Sequence, residues 1–430
     1  MNTSRYRGTF WLPGELESTA SGHIEITESG EITLEIQGDL SQDTENQGLA
    51  EEIDVICGQI ADHPSGGSIL LFKCLKTYSR FGQGGTFQKW FAHRALIGQA
   101  EEAEIEIPST FTRVFLTLDG LAEFIGRPPS IVDNKNKLIR IDDLRFEAGV
   151  LYTDDWTARF EWTTQLVQTA LTVNISRQPR ISISLNNTLT LSQVLEDVVP
   201  IFECLITLAR RDHARVLTVS VQSKEKHKPY EFIGAQLGTA RTEKTKSPRG
   251  LLFHLGDIQD KTILHRLRDV FTQHRDFTAI FMSYERSPSP YIDDRVRASI
   301  VALAHLTWAF PDEVADATHI TSSFMKLPLK VQSYLPSAGF LAIPSLANRL
   351  LTPAIRKRLR IGTAKELSTK VDIAFRWVCF REGEGLPGNE LLRLNHQLTA
   401  LLHLALLQAG GFAPSDAEAR LIKSFTQLGF

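Results

Sequence analysis

The chain has 430 residues, 42% of them hydrophobic and 23% charged, with a formal net charge of −3. That length predicts two or three domains, and the composition excludes global disorder. The longest nearly uncharged apolar stretches, Ser299–Phe310 and Leu398–Phe412, fall short of the roughly 20 residues that cross a bilayer, so a membrane partner is excluded.

Met1–Gly14 carries no apolar signal core, which predicts no export. Cys57, Cys74, Cys204 and Cys379 stand far apart without zinc spacing, which predicts reduced thiols, no metal site and a cytoplasmic protein. Ile24 and Ile26 alternate with polar residues, Glu28-Ser29-Gly30 turns the chain, and Ile32, Leu34 and Ile36 alternate again, the pattern of a hairpin. Further strand-like runs cover Ile53–Cys57, Ser68–Cys74, Arg94–Gly98, Ile105–Ile107, Arg113–Leu118, Leu138–Phe146, Thr157–Trp162, Ala170–Ile175 and Arg180–Leu185. No long helical pattern separates them. The reading is therefore an antiparallel, sandwich- or barrel-like region rather than a parallel sheet.

Ser192–Arg210 predicts a helix that Pro200 kinks or splits, and Arg215–Val221 predicts a strand. Ser223–Pro248 reads as a loop or edge hairpin, and Lys261–His274 as a helix. Ser287-Pro288-Ser289-Pro290 reads as a linker. Beyond it the pattern is helical, over Asp293–Phe310, over Ser345–Ile361 with a break near Pro353, and over Ala364–Phe380. Leu391, Leu394, Leu398, Leu401 and Ala405 then recur every three or four residues, and Gly410-Gly411 stops that helix. Ser415 and Glu418 have the spacing of a capping box for a last helix. The predicted class is α+β. A β-rich region spans 1–190, a mixed continuation 191–287, and a helical bundle 291–430.

Charge is uneven, with −10 over residues 1–150, +3 over 151–290 and +4 over 291–430. An acidic first third is a poor nucleic-acid binder. Arg349–Lys370 is the most basic stretch, and Arg356, Lys357, Arg358 and Arg360 are its candidates for RNA or phosphate. The alternative for the same residues is a solvated helix face. There is no phosphate loop, no HExxH and no GxSxG. Gly82-Gln83-Gly84-Gly85 reads as a hairpin tip, and Asp142-Asp143 and Asp154-Asp155 read as turn residues. His254 and His274 follow arginines at a spacing that chance alone produces in a chain this rich in arginine. His396 and His403 share one helical face two turns apart, too far for one metal ion, and read as flanks of a core or dimer seam.

Gly8-Thr9-Phe10-Trp11-Leu12-Pro13-Gly14, the hairpin ending Leu34-Glu35-Ile36-Gln37-Gly38, then Ile56-Cys57-Gly58, Gly66-Gly67-Ser68-Ile69-Leu70-Leu71, Ala95-Leu96-Ile97-Gly98 and Leu118-Asp119-Gly120-Leu121 follow in order. In these residues the chain resembles the ApeA-like abortive phage-infection proteins. Leu391–Leu398 through Gly410-Gly411-Phe412 resembles the helical HEPN domain that follows in that family. The resemblance implies bacterial antiviral defence, a homodimer through the HEPN helices, RNA or a phage or defence-complex protein as partner, and no cofactor. It also implies metal-independent RNA cleavage by an arginine and a histidine. Arg376 stands at the arginine position. Arg381 stands where the histidine belongs, and no histidine occurs between His319 and His396. A guanidinium cannot accept a proton. The expectation is a degraded HEPN site that binds RNA or phosphate or assembles. The alternatives are an active ribonuclease whose base comes from His396 or His403, and a structural subunit without RNA contact.

Overall fold

The structure is a computed structural model and describes residues 3–40, 52–61, 63, 67–82, 85–98, 109–126, 131–133, 138–140, 145–168, 173–224, 228–234, 237, 251–258, 261–286, 291–310, 343, 346–380 and 383–426. Its contacts divide the chain into a unit of Met1–Val199 with Arg215–Thr245, and a unit of Pro200–Ala214 with Lys246–Phe430. The expected middle segment, 191–287, is thus shared between the two. The first unit is antiparallel β and the second is helical, as the patterning predicts.

Strands β1 (Thr3–Trp11), β2 (Ala20–Thr27), β3 (Ile32–Gln37), β4 (Glu52–Ile60), β5 (Ser68–Gly82) and β6 (Gly85–Gly98) close on themselves. The ring runs β1–β2–β3–β6–β5–β4 and returns to β1, every pairing antiparallel. Closure satisfies the ladder groups that an open sheet leaves at its edges. The alternating residues Ile24, Ile32, Leu34, Ile36, Ile69, Leu71, Ala92, Ala95 and Ile97 pack with Phe10, Ile56 and Trp90 as a single buried core. The predicted hairpin is β2–β3, in the register Ile26↔Ile32, and Gly30 supplies the positive φ of 80° in its turn. Gly58 sits against Phe10, where an added Cβ would lie 2.5 Å from the ring.

β6 also carries the rest of the sheet. Phe87–Gln37 through Ala92–Ile32 pair it with β3. Beyond them Arg94–Ile97 pair with β14 (Tyr230–Gly234). The open part then runs through β13 (Val216–Gln222), β7 (Phe111–Leu118), β12 (Val173–Leu189) and β11 (Trp156–Gln168) to β10 (Arg145–Tyr152). β14 is therefore an interior strand, where the sequence suggests a loop or edge hairpin. Its tyrosine ring fills the space that Gly98 leaves on β6. The described part of the predicted run Ala170–Ile175, from Val173, belongs with Arg180–Leu185 to the one long strand β12; Ala170–Thr172 lie outside the described residues. β8 (Ile131–Asp133) and β9 (Leu138–Arg140) form a separate pair, and α1 (Leu121–Ile125) places Phe124 against Phe160 with ring centroids 5.8 Å apart. The predicted strand Ile105–Ile107 and the pair Asp142-Asp143 lie outside the described residues.

The predicted helix runs from Leu191 to Arg210 without a break and widens just ahead of Pro200. α2 (Leu191–Gln193), capped by Thr190, opens into a π-turn at Val194–Val198 before α3 (Val199–Arg210). A proline donates no N–H, and the wider turn just ahead of it absorbs the missing bond.

In the helical unit the described helices after α3 are α4 (Lys261–Gln273), α5 (Arg275–Arg286), α6 (Ile292–Leu306), α7 (Pro353–Leu359), α8 (Ala364–Phe380), α9 (Gly388–Ala409) and α10 (Pro414–Thr426). α9 is buried along most of its length, with Leu394, Leu398, Leu401, Leu402, Leu404 and Ala405 fully enclosed and Leu392, Arg393 and His396 exposed near its start. The recurring leucines, read as a core or dimer seam, are buried within the chain. Gly411, at φ 93°, ends α9, and the Phe412 N–H returns to the Leu407 carbonyl at 3.0 Å. α10 starts at Pro414, ahead of the expected Ser415 cap. Glu418 is drawn away to the Thr352 hydroxyl, which donates to it at 2.5 Å.

Candidate functional site

The sequence candidates lie on α7 and α8. Thr352 caps α7, with its hydroxyl accepting from the Ile355 N–H and Pro353 in the first turn. The basic residues Arg356, Lys357 and Arg358 fall in the last turn, where the carbonyl ends attract cations. Arg360 terminates the helix in a left-handed conformation, φ 52°, and its N–H returns to Arg356 and Lys357. From α9 the Gln397 amide donates to the Leu359 carbonyl at 3.0 Å and fastens this end down.

Arg356 and Lys357 line a cavity of about 720 Å³ together with Asn348, Arg349, Leu351, Thr352, Pro353 and Ile361. Three of those eight residues are cations and none is an acid. Arg356 is nonetheless occupied. Its Nε donates to the Leu351 carbonyl at 2.9 Å, and its Nη2 to Asn348 Oδ1 at 2.7 Å. It shapes the wall, whereas Lys357 makes no ion pair among the described residues. Arg349 stacks its guanidinium on Phe310, 5.6 Å from the ring centroid. Arg358 and Arg360 do not line the cavity.

Arg376 is a separate case. It is half-exposed on α8, and its Nε lies 3.2 Å from Asp372 one turn back, an ordinary helical ion pair. Among the described residues it bonds to no histidine. The chain returns over its neighbour: an added Cβ on Gly385 would meet the Trp377 ring at 2.8 Å. Arg381 lies outside the described residues. The structure therefore groups Arg356 and Lys357, and leaves Arg376 apart from them.

The histidines are placed unexpectedly. His403 is 1% exposed, its two ring nitrogens lack hydrogen-bond partners among the described residues, and it cannot reach an RNA strand without a rearrangement of the core. His396 is exposed. His213, which the sequence does not single out, shares a carboxylate with an arginine. The Glu203 carboxylate, buried on α3, takes His213 Nε2 at 2.8 Å and Arg286 Nη2 at 2.9 Å. The two partners lie 10 and 83 residues from Glu203, so no local pattern marks them. A carboxylate that orients one imidazole nitrogen and leaves the other available, beside a half-exposed guanidinium, has the parts of metal-independent phosphodiester chemistry. Among the described residues no group of three His, Cys, Asp or Glu could hold a metal ion, and no helix is long and apolar enough to cross a membrane.

No curated protein and no solved structure matches the chain. One family does, the ApeA N-terminal domain 1, over residues 5–266. The match takes in the barrel, the open sheet, α3 and the first part of α4. With well over half of its length matched, the chain belongs to the ApeA N-terminal domain 1 family, a family of anti-phage defence.

Proposed function

We propose that the protein serves anti-phage defence by binding RNA or another phosphate-bearing partner at the cationic cavity beside α7, with the helical unit a HEPN-like domain that has lost its own catalytic histidine. One observation carries this reading: among the described residues, three cations and no acid line a cavity of about 720 Å³. The Arg376 ion pair with Asp372 fits the same view, since a guanidinium held by a carboxylate one turn away is a weak phosphate ligand. Fluorescence anisotropy of the whole chain with labelled single-stranded RNA tests it. Lys357→Glu is expected to weaken binding by about tenfold and to flatten its salt dependence. Undiminished binding in that variant argues against the cavity. Absence of any binding at physiological salt favours a purely structural subunit.

The Glu203 cluster supports a second reading, an active ribonuclease whose base is His213 rather than a residue of α8 or α9. Under it, His213→Gln and Arg286→Ala each abolish cleavage of total RNA, while Arg376→Ala leaves it intact. Loss of cleavage in Arg376→Ala, with His213→Gln active, removes this reading.

A further inference from the structure

The alternation along β7 sends Val114, Leu116 and Leu118 into the core and Arg113, Phe115 and Thr117 to the opposite face. The sheet register sets Arg113 between Ser184 on β12 and Gln222 on β13. Residues directly opposite on adjacent antiparallel strands share a face. Past the end of β13, Ser223 is buried and Lys224 is exposed. With Thr112 and Leu185, these residues line an open concavity of about 430 Å³.

This cavity differs from its surroundings in charge. The first 150 residues carry −10, yet among the described residues no acid lines the cavity and two cations do. Elsewhere on this sheet arginines are neutralised: Arg180 meets Glu161 at 2.5 Å, and Arg159 meets Glu147 at 4.0 Å. Arg113 and Lys224 form no ion pair among the described residues. Two like charges on one concavity repel each other unless an anion lies between them. The hydroxyls of Ser184 and Ser223 add neutral donors around the same space.

We propose that this cavity binds the phosphate group of a small phosphorylated molecule. Arg113 presents a fork that matches two phosphate oxygens, and Lys224 adds a point charge. The volume lies in the range of small-molecule sites, and Leu185 supplies an apolar wall for the organic part. The site lies in the β unit and is independent of the cavity beside α7. The β unit thereby gains a ligand of its own, a means for a defence protein to respond to the nucleotide pool.

Isothermal titration of the whole chain with inorganic pyrophosphate, and separately with ATP, tests the assignment. Saturable binding is expected. Arg113→Gln and Lys224→Gln should each weaken it by about tenfold or more, Arg113→Lys by less, and Lys357→Glu not at all. Thermal melting establishes that each variant is folded, and if Arg113→Gln is not, Lys224→Gln on the exposed strand end decides. The proposal is overturned if neither probe binds saturably, or if binding survives Lys224→Gln undiminished. Binding lost in Lys357→Glu but kept in the Arg113 and Lys224 variants also overturns it, and assigns the anion to the α7 cavity instead.

Discussion

His403 Nε2 lies 3.6 Å from Glu285 Oε1 inside the helical unit, a buried imidazole facing a buried carboxylate at a separation just beyond a hydrogen bond. Burial holds the His403 pKa below its ordinary 6.5, Arg211 acts in the same direction, and Glu285 opposes both. The native imidazole is therefore neutral where the unfolded one already takes up a proton. As pH falls through 6.5 the unfolded state gains the proton first, and stability drops until the native group titrates as well. Thermal melts at about pH 7.5 and about pH 5.5 should show a lower midpoint in acid. His403→Leu should reduce that difference. A wild-type midpoint unmoved by pH contradicts the assignment.

Arg356 and Lys357 are neighbours with different roles. Arg356 bonds to Leu351 and Asn348, so Arg356→Ala is expected to cost about 1–3 kcal/mol in urea unfolding. Lys357→Ala should stay within about 0.5 kcal/mol of wild type. Equal costs would mean that the Arg356 bonds do not hold the wall in solution.

The barrel tolerates no side chain at Gly58. A Cβ there would meet the Phe10 ring at 2.5 Å, and Ile69 closes the other side at 3.0 Å. Gly58→Val should destabilise the protein by about 1–3 kcal/mol through overpacking, read from the urea midpoint. A neutral result would show that β1 and β4 can separate at this point.

Three buried thiols are inert. Burial pushes Cys57 up to about 11, Cys74 up to about 12 and Cys204 well above the ordinary thiol value. With an aromatic disulfide reagent at mildly alkaline pH, these three should react only after denaturant is added. Rapid native reaction at any of them would contradict its burial.

The family match ends at residue 266, but the compact units do not divide there. Phe202, Leu205, Ile206 and Leu208 of α3 are buried in the helical unit. A fragment of residues 1–266 loses most of the helices of that unit and leaves those side chains uncovered. It should associate or precipitate on size exclusion more than the whole chain does. A monomeric fragment with a cooperative melt would show that α3 finds other cover.

Local pattern made the elements legible. Ile32, Leu34 and Ile36 alternate because one face of β3 is buried, and α8 spans the residues that its periodicity predicts, Ala364–Phe380. The same kind of reading identified α9, where Leu391, Leu394, Leu398, Leu401 and Ala405 recur every three or four residues and are buried. Tertiary structure decided what those elements do for one another. The closing of six strands into a barrel depends on β1 pairing with both β2 and β4, and the joining of the open sheet to it on β6 changing partner from β3 to β14 partway along; a period of two is the same in a barrel and in an open sheet. Glu203 with His213 and Arg286, and Arg113 with Ser184 and Gln222, come together across separations that carry no sequence signal. Strand register and helix packing are set by which buried faces fit each other, so the order of residues along the chain governs where each side chain faces, and the fold governs what it meets.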